Sequence, residues 1–468
     1  MAETIPDSIQ KQIDEMTEAF HSKLTKLYLW SNSRETNCQP AAVEIEDRMR
    51  EWIQQIGKDV QSLILGAIDR HSRKGKRCCP KCGEAVYWKR YEARHYITSL
   101  GEMQLERAYY YHAACHYGWF PLDERLKLGA SELSPRVQEM VSYLGAFIPF
   151  EQAQTFLSKY SNVNISHDTV NNATVVIGQA LLEKQEAQVR HAWDTSSLPV
   201  CEIAMPPKRL YVSADGINHL LPNGQGKEIK VAAIYETEER CNKEGETEIH
   251  AINIEYVVHT SAEELARATY LTAVKRGSKS AEEIIVLGDG ANWIWNRIAG
   301  MFLRETRTEI LDFYHAAEYI WDAGKAVWGT ATVETNTWGG QQCHILKHNG
   351  SRPVLGVLRS LWPADSAPPE PVASAITYFE NQGPRMYYPL YVERGLQIGS
   401  GSAESAVKQV VGTRINQVGM RWNENRAEAV AHVRAAILSD RWDDFWSDFS
   451  PPRRQYRRQE RKALPLAA

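Results

Sequence analysis

A few stretches of this chain hold residues whose types and spacing could do chemistry. Ile284, Ile285, Val286 and Leu287 form a short apolar run of the kind that fills a buried strand, and Gly288-Asp289-Gly290 follows at once. Ligands in α/β sheets bind at the carboxyl ends of strands. A carboxylate placed there between glycines lets a backbone or a phosphate come close, although Asp-Gly is also common turn currency. Arg209–Ser213 is a second apolar-rich run, and it leads into Ala214-Asp215-Gly216. Further on, Ser400-Gly401-Ser402 opens a helix with Glu404 in its first turn; alone, that glutamate reads as a partner of the helix dipole. A different chemistry is offered by Cys79-Pro-Lys-Cys82-Gly83 and His112-Ala-Ala-Cys115. Two such knuckles at the ends of a hairpin can close a tetrahedral Zn²⁺ site from three thiolates and one imidazole. Cys78 and His116 stand beside the expected ligands, so the set is open by one residue at each end. Reduced, buried thiols are the plainer alternative.

The whole chain sets the limits. Its 468 residues imply several domains, 43% of them apolar, enough to build cores. A net charge of −4 does not advertise a nucleic-acid binder, but Arg70, Arg73, Lys74, Lys76 and Arg77 make a local basic patch, and a second lies in the tail. The N-terminus is not a signal peptide, and no apolar run approaches the ~20 residues of a membrane helix. Four of the eight cysteines lie in one short region, which suggests metal in a reducing, cytoplasmic setting.

These residues need elements to position them. Residues 1–70 read as two amphipathic helices, the first with Lys23 interrupting its apolar stripe. Residues 71–130 form the hairpin module that would carry zinc. Residues 131–195 read as a helical, helix-turn-helix-like domain. Its third helix opens at His167 with Thr169, Asn171 and Asn172, and such a helix could enter a DNA major groove. After a Pro-rich linker, residues 196–315 give three strands, a helix, a strand, a helix and a strand, the order of an RNase H-like core. Asp215 ends the first strand of that reading and Asp289 the fourth. Residues 316–395 read as a helical insertion, 396–446 as C-terminal helices of the core, and 447–468 as a basic tail. The fold class expected is multidomain α+β with a mixed sheet.

At this point the motifs match a family. LGDGANWIWN, LDFYHAAEYIW, IGSGSAESAVKQVV and GMRW, with FPLDERL after the cysteine region, resemble the ISKra-type bacterial insertion-sequence transposases, relatives of the Mutator-like DDE enzymes. The likeness spans about Cys79 to Trp446. It implies an RNase H-like core interrupted by a helical insertion. Asp215, Asp289 and Glu404 take the places of the DDE carboxylates, and Asp312 to His315 resembles the D/C-x₂-H motif of the Mutator-like group. His112-Ala-Ala-Cys115 stands where a second CxxC is expected, and histidine remains a competent ligand.

The implied reaction is attack by water, then by a 3′-OH, on a phosphodiester. Two Mg²⁺ or Mn²⁺ ions about 3.5–4 Å apart would activate the nucleophile and stabilise the leaving oxygen. Asp215, Asp289 and Glu404 would hold them, with Asp312 and Glu318 as rivals for the third place. His315 either approaches the scissile phosphate or orients Asp312. Trp293 could stack on a flipped base or fill the core, and Arg421 of GMRW is taken as a DNA contact. Expected partners are element-end and target DNA and further copies of the chain, on the bacterial nucleoid and not at a membrane. A nuclease that cuts without joining, or a domesticated zinc and helix-turn-helix DNA-binding protein, are the alternatives.

Overall fold

The computed structural model describes residues 5–32, 41–70, 75–241, 245, 247–363 and 365–449. Arg73, Lys74, the tail from residue 450 and the side chain of Arg70 lie outside the described residues. The chain divides into two compact units. One takes residues up to Leu144, Phe150–Asn171 and a short piece from Trp446; the other takes Gly145–Pro149 and Asn172–Phe445. The fold is multidomain α+β, with one antiparallel sheet, one mixed sheet and many helices.

In the first unit, α1 (Asp7–Ser31) and α2 (Ala42–Arg70) pack as a hairpin, with Phe20 stacked on Trp52 at 5.0 Å between ring centroids. β1 (Lys76–Cys78), β2 (Ala85–Thr98), β3 (Gly101–His112) and β4 (Tyr117–Trp119) form an antiparallel sheet in that order. β3 alternates in burial over its first half, as a strand with one face on a core must. Gly101, at φ 114°, turns the β2–β3 hairpin. α3 (Pro121–Arg125) lies in FPLDERL, and its Asp123 is buried with two arginines of the hairpin. Arg107 meets Asp123 at 2.5 Å and Arg94 meets it at 3.4 Å. Arg94 also donates to the carbonyls of Gly129 and Ser131. α4 (Pro135–Phe147) and α5 (Phe150–Ser161) lead to α6 (His167–Thr195), whose 29 residues are shared between the two units.

The second unit is built on five strands: β5 (Arg209–Leu220), β6 (Gly226–Cys241), β7 (Thr247–His259), β8 (Glu283–Gly288) and β9 (Arg307–Leu311). Their order is β7-β6-β5-β8-β9. The first three pair antiparallel, while β5–β8 and β8–β9 pair parallel. β8 is buried almost throughout, as expected for a parallel strand covered on both faces. α7 (Ala262–Lys275) is capped by Ser261, whose hydroxyl accepts from the Glu264 N–H, and it packs on β6 and β7.

Five α-helices follow β9 among the described residues up to Glu393: α8 (Phe313–Trp328), α9 (Val333–Asn349), α10 (Ser351–Ser360), α11 (Glu370–Gln382) and α12 (Tyr388–Glu393). α13 (Gly401–Val407) then continues through a π-helical turn at Lys408–Gly412 into α14 (Thr413–Ile415). α15 (Glu424–Leu438) is buried on all sides, from Ala427 to Ala436. A Cβ at Gly178 of α6 would fall 2.0 Å from the Ala429 carbonyl oxygen, so glycine permits that close approach of backbones. α16 (Trp442–Asp448) is the last described helix.

One expectation is corrected. Asp215 does not end its strand, because β5 runs on to Leu220 against β6. Only the parallel pairing with β8 stops near it, at Ser213↔Leu287. The Asp-Gly pair looks like a turn in sequence, but the β6 ladder carries the backbone straight through it.

Candidate carboxylate and metal sites

The carboxylates come first. Counting two residues beyond the last paired positions of β5 and β8 reaches Asp215 on one strand and Asp289 on its neighbour. One residue beyond the last β8–β9 pair, Gly288↔Leu311, reaches Asp289 and Asp312. Three acids therefore stand level along one end of the parallel strands. The Gly216 N–H donates to Asp215 Oδ1 at 2.6 Å, and the Ala291 N–H donates to Asp289 Oδ1 at 2.9 Å. Asp215 is pushed up to about 6, first by burial and then by repulsion from Asp289, against the Gly216 bond and the nearby His315. Glu228 of β6 adds to that repulsion. It occupies the space over Gly216, where a Cβ would fall 2.2 Å from its Oε1, and its other oxygen pairs with Lys230 at 2.5 Å.

Asp312 plays a different part from its neighbours. It caps α8, accepting from the Tyr314 N–H at 2.6 Å and the His315 N–H at 3.1 Å through Oδ1. Its Oδ2 accepts from the Ser400 N–H at 2.8 Å and from the Ser400 hydroxyl. Both oxygens are used in joining the start of α8 to the segment before α13. The His315 ring faces Glu318, Nδ1 to Oε2 3.3 Å, while only its backbone N–H bonds Asp312.

Glu404 lies on α13, which packs on β5 and β6. On β5, Tyr211, Ser213, Asp215 and Ile217 share one face, since side chains alternate. Tyr235, opposite Tyr211, donates to Gln397 Oε1 at 3.0 Å. Ile217 lies 3.9 Å from where a Cβ at Gly412 would be. The π turn after α13 therefore meets at Ile217 the face that carries Asp215. Glu404 is exposed on this helix and takes part in no side-chain hydrogen bond or ion pair among the described residues. Ser400, at the N-terminus, makes no side-chain cap bond, and Glu404 does not cap the helix by its side chain either. The acids are not gathered tightly. Among the described residues only the cysteine cluster brings three or more potential ligand atoms within 4.8 Å of one another.

Two supports of this region carried little signal in the sequence. Tyr378 of α11 donates to the Asp289 carbonyl at 2.7 Å, and Gln382 donates to the Gly290 carbonyl at 3.1 Å. Arg434 of α15 donates to the carbonyls of Val410 at 2.9 Å and Gln409 at 3.1 Å, and to Thr413 Oγ1 at 2.7 Å. A π turn leaves carbonyls without their usual partners and is frequent at functional sites; here one buried guanidinium takes them up. A cation inside the apolar run AVAHVRAAI was the visible hint.

The cysteine cluster is compact. Cys79, Cys82, His112 and Cys115 place their ligand atoms within 4.8 Å of one another. Bonds of about 2.3 Å to sulfur and 2.1 Å to nitrogen imply tetrahedral edges of about 3.6–3.8 Å, and Cys82 Sγ lies 3.4 Å from His112 Nδ1. Glu84 Oε2 lies 3.1 Å from His112 Nε2, a carboxylate contact of the kind that orients a ligating imidazole. Burial alone would raise the Cys79 thiol, but bonds from the Lys81 and Cys82 N–H groups, then from His112 and Cys82, bring it down to about 7. Cys115 is pushed up to about 11, first by its bond to Cys82 and then by burial and Cys79. Thiols this close cannot all ionise without a cation among them, so the cluster could hold a metal such as zinc. Cys78 is exposed at the end of β1, and His116 is exposed at φ 47° in the turn before β4. The neighbouring substitutes therefore stay outside the cluster.

The expected DNA contacts are scattered. His167 and Asn172 are exposed at the start of α6, Thr169 and Asn171 half-buried. Ser166 caps this helix, accepting from the Thr169 N–H at 3.1 Å. Lys76 and Arg77 are exposed on β1. Trp293 is half-buried with the Lys230 ammonium 5.8 Å from its ring centre, whereas Trp295 is core. Arg421 is exposed and donates to the Pro222 carbonyl at 3.2 Å. No described helix is long and apolar enough to cross a membrane.

The sequence matches the Uncharacterised protein family (UPF0236) over residues 40–441, and the chain belongs to that family. It is similar to a UPF0236 protein of Caldanaerobacter subterraneus subsp. tengcongensis, 23% identical over 401 residues, which covers 84% of this chain and 76% of the relative. The name of that relative carries eleven locus designations. It is also similar to the "UPF0236 protein in vanSb 3′region" of Streptococcus gallolyticus, 29% identical over 163 residues, 34% of this chain and 32% of the relative.

Proposed function

We propose that this chain is a DDE transposase of the ISKra-type kind, built on an RNase H-like core. The observation that carries the reading is the level placement of Asp215 and Asp289 on adjacent parallel strands, with Asp215 raised to about 6. In chain order the sheet runs third, second, first, fourth, fifth, the arrangement this core requires. A relative whose name spans eleven loci fits a gene that copies itself within a genome.

The donor set fits hard cations, because carboxylate oxygens crowded beside one another gain most from a divalent ion. Asp215, Asp289 and Glu404 would hold Mg²⁺ or Mn²⁺, which supplies an activated water or 3′-OH and stabilises the leaving oxygen. The chain's own groups then have separate tasks. The Gly216 N–H orients Asp215, and Tyr378 and Gln382 fix the backbone around Asp289. Asp312 ties α8 to the segment before α13 and so sets where Glu404 stands. His315 lies in the field of Asp215 and is available to a scissile phosphate or its water. The zinc-bearing hairpin, the start of α6 and the exposed Lys76, Arg77 and Arg421 would bind element ends. Two or more copies would assemble on DNA in the nucleoid, cut, and join the 3′-OH to target.

The test is Glu404→Gln, which keeps length and removes charge. Cleavage of element-end DNA in Mg²⁺ should fall by about 100-fold or more while end binding persists, as for loss of a metal ligand. A Glu404→Gln protein that nicks normally beside an inactive Glu318→Gln would overturn the triad.

A further inference from the structure

The N-terminal hairpin contains a cleft that the proposed function leaves unassigned. It lies between α1 and α2, has a volume of about 340 Å³, and is lined by Lys23, Lys26, Trp30, Arg48, Glu51 and Trp52 among others. Three cations face one acid there. None of Lys23, Lys26 or Arg48 is ion-paired among the described residues, even though Glu51 shares the cleft. Arg48 lies over the Trp30 ring at 4.0 Å. Trp52 stacks on Phe20 by its ring, and its indole Nε1 is buried without a hydrogen-bond partner. Lys23 is the residue that breaks the apolar stripe of α1, where a further apolar residue would have closed the helix pair.

We propose that this cleft binds an unpaired nucleotide of a nucleic-acid strand. The cations match a phosphate, and the indoles of Trp30 and Trp52 match a base. Aromatic rings interleaved with cations are the usual surface for single-stranded nucleic acid, and they tolerate any base. A duplex phosphate alone would leave the two indoles unused. The proposal rests on the DNA-binding reading given above, but it concerns unpaired strands and needs no catalysis.

The experiment measures fluorescence anisotropy of two labelled probes on the full chain: a short oligothymidylate and a blunt hairpin duplex of equal charge. Lys23→Glu and the milder Lys26→Gln with Arg48→Gln are compared with the native chain, and circular dichroism is checked to show that the helices remain. Affinity for the single strand should fall about tenfold or more in both variants, with duplex affinity changed less than about twofold. Equal losses on both probes would make the cleft a duplex-backbone contact and overturn the proposal. No loss on the single strand in folded variants would overturn it as well. An inactive but single-strand-binding native chain would leave the cleft standing and count against the transposase reading alone.

Discussion

Replacing Asp215 by asparagine should make the protein more stable at neutral pH while removing the metal-dependent chemistry proposed for it. Asp215 is displaced from its ordinary value of 3.8 to about 6, first by burial and also by repulsion from Asp289 and Glu228. Two units correspond to about 3 kcal/mol of differential stability at about 1.4 kcal/mol each. The direction follows from proton binding. Between about pH 4 and pH 6 the folded chain keeps a proton on Asp215 that the unfolded chain has released, so stability falls as pH rises through that window and stays low above it. Asparagine has no proton to release, and it can still accept the Gly216 N–H. The gain of Asp215→Asn should therefore be small near pH 4 and reach up to about 3 kcal/mol at pH 7, roughly 5–10 °C in melting temperature for a unit this large. Thermal unfolding at several pH values, with and without millimolar Mg²⁺, measures it. Mg²⁺ should raise the native melting temperature and leave the variant unmoved, since a ligand stabilises only what it binds. A variant less stable than the native chain at pH 7 without metal, or a gain equal at pH 4 and pH 7, would refute the reasoning.

Two further perturbations probe the first unit. Purified protein should hold about one zinc per chain, lost in Cys82→Ser or Cys115→Ser and kept in Cys78→Ser; Glu84→Gln should weaken metal binding about 10–100-fold by freeing the His112 ring, read by competition with a chromophoric chelator. Asp123→Asn should cost about 3–5 kcal/mol, because it leaves Arg94 and Arg107 buried beside a neutral group; urea unfolding checks this, and a cost below about 1 kcal/mol would mean the two guanidiniums are satisfied elsewhere.

The parts legible in the sequence are those with a strict period or a strict spacing. The members of the Cys79, Cys82, His112 and Cys115 cluster were readable because each knuckle fixes its own pair, and only three dimensions could exclude Cys78 and His116, which differ from them by one residue of register. The strands of the second unit were visible as apolar runs, but their ends were not. Asp215-Gly216 reads as a turn locally, and the β6 ladder overrides that tendency. Asp312 looked like a rival metal ligand because sequence shows a carboxylate and not what it bonds; four N–H and O–H donors from Tyr314, His315 and Ser400 occupy it. Glu404 was singled out by its motif. The packing of its helix on β5 and β6 depends on long-range contacts, which no local pattern encodes.

The helices after β9 bear on the site more directly than an insertion need do. From α11 onward they bond the chain at the ends of β8 and β9 one after another. Tyr378 holds the Asp289 carbonyl and Gln382 the Gly290 carbonyl. Arg385 pairs with Glu309 at 2.7 Å, Tyr391 donates to the Glu309 carbonyl at 3.2 Å, and Tyr388 donates to the Leu311 carbonyl at 3.1 Å. Gly290, at φ 106°, gives the backbone the turn that lets Tyr378 reach it. The loop that carries Asp289 is thus set by side chains about ninety residues later in the chain, and a segment that merely interrupted the core would have no reason to make these bonds. The same helices support the pair Tyr319 and Tyr378, stacked at 3.9 Å, beside the His315 ring. Under the proposed function, carboxylates that repel one another need a rigid frame before a cation arrives. These helices fix the loop that carries Asp289, and Arg434 fixes the π turn that follows α13.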